Sequence, residues 1–441
     1  MNIYSLSAID IVNKIKSGEV SAVEVAQSFI DRIKEFDKDV KAWAFFDKKH
    51  FLAKAKEADE WKLSGKLMGQ LHGLPVAIKD IFKTYDMPTQ YGSPLKKNYQ
   101  TRDDSKVVAL LRAAGAVIMG KTVTTELAYF DPGETRNPHD YTRTPGGSSS
   151  GSAAAVASFM APITIGSQTN GSLIRPASYC GVVGYKPTNG LISRSGVLRQ
   201  SFLLDQVGLF ARSVEDAAFC SSSIFEKDSE DKSTIHYPTE EFFEKIKDKP
   251  FFEPQFLFMK TSKWNNMDKD AQKDFEKFIK KINKNVTEVT MPSYFEKIFD
   301  YHKIIHETDM AYNFYAVYKK NKKKLGKKLV EAMERGMEYK SKDYVEAVES
   351  IETIYANFND AFHDYHAIIT PGTTGYAPKG LNYTGSPEFC TLWTYLGMPS
   401  ISLPLIESSN KLPLGVQLVG EKFDDTRFLQ TANWMFKNYK K

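Results

Sequence analysis

Six short apolar runs recur along the chain: "GLPVAIKD" (73–80), "AAGAVIMGKT" (113–122), "APITIG" (161–166), "DYHAIITPGT" (364–373), "MPSISLPLI" (398–406) and "PLGVQLVG" (413–420). Runs this short, rich in β-branched residues and bounded by Gly and Pro, read as buried strands. Helical patterns lie between them. Ser7 can cap "AIDIVNKIKSG". Ser21 and Glu24 form a capping-box pattern before "VAQSFIDRIKEF", where Val25, Phe29, Ile33 and Phe36 keep helical spacing. Strands alternating with helices predict an α/β fold with a largely buried mixed sheet. From about 225 to 365 the chain turns rich in Lys, Glu, Asp and aromatic residues, mostly helical in pattern. The expectation is one domain over 1–441, with 225–365 as a variable helical segment inside it.

Composition narrows the function classes. With 42% hydrophobic and 26% charged residues in 441, the chain can bury a large core. A net charge of +5 demands no nucleic-acid partner. Three widely spaced cysteines, Cys180, Cys220 and Cys390, suggest neither a disulfide framework nor a zinc site. No signal peptide and no 18-residue apolar run is visible, so a cytoplasmic setting away from membranes is expected.

Several patterns have a chemical and a plain reading. "GAVIMGKT" (115–122) fits the P-loop pattern, yet its middle residues suit a sheet better than a phosphate cradle. "GSSSG" (147–151) fits a nucleophile elbow with Ser149 as nucleophile, but "DYTRTP" before it is no apolar strand. His302 and His306, followed by Glu307, could face a metal from a helix. Nothing marks a further ligand, and structural histidines are the safer reading. The lysine-rich "KKNKKKLGKK" (319–328) could touch RNA but reads first as a solvated helix face.

Two clusters remain, "PGGSSSGS" (145–152) and "GSQTNGSLIRPAS" (166–178). Together with Lys79 they resemble the amidase signature family. The carrying motifs are a lysine ending a G-x-P-x-x-x-K-D strand (Gly73 to Asp80), a G-G-S-S-x-G-S loop (Gly146 to Ser152), and a second serine, Ser172, 24 residues after Ser148. "CGVVGYKPTNG" (180–190) and "LDQVGLFARSVED" (204–216) also look like family segments, and the similarity spans about 5–220 and 366–436. Within the family, "QTNGSLIRPA" places the arginine one position later than the commonest pattern, at Arg175, and Asn170 stands where glycine is usual. That form is similar to the malonamidase branch.

The resemblance implies a large mixed twisted sheet covered by helices on both faces. It implies Ser172 as nucleophile, Ser148 as a bridging serine in a cis peptide, and Lys79 as base. It also implies an oxyanion hole of backbone N–H groups from Thr169, Asn170, Gly171 and Ser172. The chemistry agrees. Amide cleavage needs an activated nucleophile, a stabilised oxyanion and a proton for the departing amine. A lysine buried at a strand end loses hydration, which favours the neutral amine. A helix beginning just after Ser172 would add its positive end.

The expected function is therefore hydrolysis of a small amide to carboxylate and ammonia through an acyl-enzyme. The substrate could be a carboxylate-bearing, malonamate-like acid held by Arg175, which otherwise pairs with an internal carboxylate. The alternative is the glutaminase subunit of a tRNA-dependent amidotransferase, for which the chain looks somewhat short. A catalytically dead scaffold is the third reading. The partners expected are a small-molecule amide and water, without nucleic acid or membrane, with a homodimer as the assembly considered. No metal or cofactor is expected.

Overall fold

The computed structural model describes residues 2–440. Eleven strands among them form one sheet: β1 (Trp43–Phe45), β2 (Pro75–Lys79), β3 (Val117–Thr122), β4 (Ile163–Gln168), β5 (Val183–Lys186), β6 (Gln206–Ala211), β7 (Phe256–Lys260), β8 (Val286–Thr290), β9 (Ala367–Pro371), β10 (Ser400–Glu407) and β11 (Pro413–Val419). Their order is β1-β3-β2-β4-β6-β5-β10-β11-β9-β7-β8. Strand β2 runs parallel to both β3 and β4, β7 runs parallel to β8 and β9, and the remaining pairs are antiparallel. The α/β expectation holds. Every residue of β2, β3, β4, β5, β6, β9 and β11 is buried, so layers cover both faces of the sheet there. No helix among the described residues is long and apolar enough to cross a membrane.

The segment 225–365 is less purely helical than its composition predicts. It carries β7 and β8, which extend the sheet beyond β9. Strand β7 is a five-residue apolar run, "FLFMK", and β8, "VTEVT", is a half-exposed edge. Two runs so short are lost among long charged helices; β7 becomes a strand by pairing with β9, and β8 by pairing with β7.

Glycines decide how closely the helix Ile174–Cys180 approaches the sheet. A Cβ on Gly184 of β5 would lie 2.5 Å from Ala177 Cβ, and one on Gly208 of β6 would lie 2.6 Å from Leu173 Cδ1. Both distances are below any normal carbon contact, so this helix rests on strand backbone. We predict that Gly184→Val lowers unfolding stability by about 1–3 kcal/mol through overpacking. Urea unfolding measures this as a lower midpoint at unchanged slope; an unchanged midpoint contradicts the close seating of the helix.

Candidate active site

Lys79 ends β2, between two parallel neighbours, and is fully buried. The β2–β4 register pairs Ile78 with Ile165, and one step further sets Lys79 abreast of Gly166 and next to Ser167. Lys79 Nζ lies 2.7 Å from Ser148 Oγ and 2.9 Å from Ser167 Oγ. Ser148 follows a cis peptide bond from Gly147, in a loop that leads into the helix Ser150–Ala157. The Ser167 contact was not foreseen. Ser167 stands in the 166–178 cluster, but the β2–β4 register that brings it to Lys79 is not written in the sequence.

Burial is the main reason that the Lys79 amine is pushed down to about 7, and the Asp205 carboxylate acts in the opposite sense. Burial raises Asp205 itself to about 6. Its carboxylate accepts Thr169 Oγ1–H at 2.6 Å and the N–H groups of Gln200 and Ser201 at 2.8 and 3.1 Å.

Strand β4 delivers the loop 169–173. Gln168 Oε1 accepts the N–H groups of Leu173 and Ile174 at 2.8 and 3.0 Å, and so takes up donors at the start of the helix Ile174–Cys180. The N–H groups of Asn170, Gly171 and Ser172 donate to no protein acceptor among the described residues. Ser172 is 9% exposed. Two carbonyls of the loop are held from outside. His302 Nε2 lies 2.9 Å from Thr169 O, and Thr394 Oγ1–H donates to Asn170 O at 2.6 Å. A Cβ on Gly171 would stand 2.9 Å from Pro387 Cβ, so the helix Glu388–Tyr395 closes against the loop.

Arg175 lies inside the protein, 2% exposed. Its terminal nitrogens donate to Gly385 O at 2.8 Å and Gly147 O at 2.7 Å, and its guanidinium stands over Phe130. It meets backbone carbonyls, neither an internal carboxylate nor an open cleft.

The other patterns take their plain readings. Residues 117–122 are β3, and the amine of Lys121 is buried among Phe82 O, Pro88 O and the hydroxyls of Thr84 and Thr89. Ser149 Oγ–H donates to Ser167 O at 3.2 Å, a tie between the serine loop and β4. His306 contacts Gln200 and Glu307 pairs with Arg335, and no group of three metal-ligating residues occurs among the described residues. A separate cavity of about 390 Å³ between the helix Lys48–Leu63 and β3 contains none of Lys79, Ser148, Ser172 and Arg175.

A fully buried lysine with its amine pushed down to about 7, touching Ser148 and also Ser167 on the strand that delivers a loop of free N–H donors, is equipped for acyl transfer from an amide. The amidase family model matches residues 24–429, and the chain belongs to that family. Among its relatives, the A subunit of glutamyl-tRNA(Gln) amidotransferase from Carboxydothermus hydrogenoformans is 33% identical, the match covering 99% of this chain and 98% of the relative. The structure of the corresponding protein from Thermotoga maritima matches with a TM-score of 0.80 at 27% identity, covering 99% and 96% of the two chains. Native peptide amidase from Stenotrophomonas maltophilia matches with a TM-score of 0.87 at 25% identity, covering 99% and 97%.

Two expectations change. The relatives matched from end to end are by name one part of a larger enzyme with tRNA in its name. That overturns the expectation of an amide and water as the only partners, without nucleic acid. The chain is somewhat short, yet its match spans 98% of the Carboxydothermus protein, so its length does not count against the alternative reading.

The Lys79 shift gives a signed prediction. A lysine base works as the neutral amine, so kcat/KM for ammonia release rises with pH through about 7 and levels above it. Below that point it falls about tenfold per pH unit. Asp205→Asn removes a charge that favours the ammonium, so the limb moves to lower pH. A profile flat from about pH 5.5 to 8.5 would exclude Lys79 as the base.

Proposed function

We propose that this chain is the ammonia-releasing component of a tRNA-dependent amidotransferase, hydrolysing the side-chain amide of glutamine. The chemistry rests on the 2.7 Å contact between the buried Lys79 amine and Ser148 Oγ. The role within an assembly rests on end-to-end similarity to amidotransferase chains of that kind. Ser172 Oγ attacks the amide carbonyl while its proton passes through Ser148 to Lys79. The free N–H groups around Asn170 and Gly171 receive the developing oxyanion. Lys79 returns the proton through Ser148 to the departing nitrogen, and ammonia leaves an acyl-enzyme. Water repeats the sequence and frees glutamate and Ser172. Ser167 fixes the amine from its second side.

In this mechanism Arg175 is a positioning residue. Its two bonds tie the loop of Ser148 to the helix after Ser172 and to the 380s loop. The malonamate-like reading required that guanidinium to be open to a substrate carboxylate, and both terminal nitrogens are already occupied.

Ammonia release from glutamine, alone and with the partner subunits and glutamyl-tRNA, tests the proposal. Ser172→Ala loses at least about 10³-fold in kcat with folding intact, and Ser149→Ala changes it only a few-fold. Hydrolysis of peptide amides with none of glutamine would move the assignment toward the peptide amidase relatives. Arg175→Ala lowers kcat for acidic and neutral amides alike; a loss confined to acidic amides would restore Arg175 as a carboxylate ligand.

A further inference from the structure

We infer that His302 and Thr394 are positioning residues that aim the oxyanion donors, each by holding the carbonyl on the opposite side of a donor's own peptide unit. The inference rests on the proposed roles of Ser172 and the 169–172 loop.

A trans peptide is planar, with C=O and N–H pointing in opposite directions. Fixing Thr169 O therefore fixes the direction of Asn170 N–H, and fixing Asn170 O fixes Gly171 N–H. His302 Nε2 lies 2.9 Å from Thr169 O, and Thr394 Oγ1–H donates to Asn170 O at 2.6 Å. A carbonyl only accepts, so the Nε2 of His302 carries the proton. Burial holds the ring neutral by pushing it down to about 4, so this N–H is its single donor. Thr394 Oγ1 also accepts Gln168 Nε2–H at 2.9 Å; of the two acceptors its own proton can reach, Asn170 O at 2.6 Å is nearer than Cys390 O at 3.1 Å. The N–H groups on the far sides of both units donate to no protein acceptor among the described residues.

The elements that bring these groups are themselves fixed. His302 lies on the helix Lys297–Asn313, whose buried Ile298, Ile305, His306 and Met310 share its face. Ile298 and Ile305 belong to the same apolar cluster as Leu392 and Trp393 of the helix that bears Thr394. One packing unit thus supplies both anchors. His302 comes from the 225–365 segment, outside every motif that marks the site in the sequence.

His302→Phe keeps the ring volume and removes the donor, and His302→Gln restores one. The expected result for glutamine is a kcat about 10- to 100-fold lower in His302→Phe, with KM changed less than about threefold. His302→Gln should recover most of the loss. An aldehyde analogue of glutamine that forms a tetrahedral adduct should lose affinity by the same factor, while a non-reactive ground-state analogue should not. Thr394→Val should show the same split, and it carries the test if His302→Phe does not fold. Equal loss on both analogues, or wild-type behaviour, overturns the inference. If Ser172→Ala also retains activity, the reading of the site itself fails; if Ser172→Ala is inactive, only the positioning role falls.

Discussion

The amine of Lys79 has no exposure to water in the middle of a sheet, and the surrounding architecture answers to that fact. Two parallel neighbours close the backbone around it, and Ser148 and Ser167 are its polar contacts. An ammonium there would be costly to desolvate, so the neutral form is reached near pH 7 instead of near 10. Asp205 sets the balance from the other side. Were Lys79 at the protein surface, its amine would stay charged at neutral pH and could not serve as the proposed base.

Around that amine the chain uses ties between segments distant in sequence. Arg175 joins Gly147 to Gly385, Gln168 joins the end of β4 to the next helix and to Thr394, and Asp205 holds Thr169. Each of these buried groups meets a partner from another segment, which satisfies its hydrogen bonding and restricts how the loops can move. Both serine-rich stretches look flexible in composition. They are ordered because their neighbours hold them.

The motifs from Gly73 to Ser172 were legible because they join unusual residue types at fixed spacing, and the apolar runs disclosed most of the central strands. Strands β7 and β8 were not: both lie among long charged helices, and β8, with no buried residue, has no apolar run to mark it. Arg175 was correctly placed on the helix after Ser172, but helical spacing says nothing about which carbonyls a guanidinium will meet. Ser167, Asp205, Gln168 and Thr394 escaped notice as site residues, and His302 was weighed only as a metal ligand or a structural histidine, for one reason. Each is an ordinary polar residue whose importance comes from tertiary contact, and a single sequence carries no record of that. The relatives, more than the spacing of residues, also moved the partner expectation from a lone amide toward an assembly with tRNA.

The pairing of β5 with β10 has a temporal consequence. Lys186 stands opposite Ser400, so the sheet's centre joins residues separated by about half the chain. Such contacts form late, because a long loop must close before they give anything back. The anchors on the 169–172 loop come from positions 302 and 394, inside the segment that this pairing closes. During refolding, helical and fluorescence signals from the first half of the chain would therefore run ahead of enzymatic competence. Recovery of turnover would report the last large-scale event in assembly.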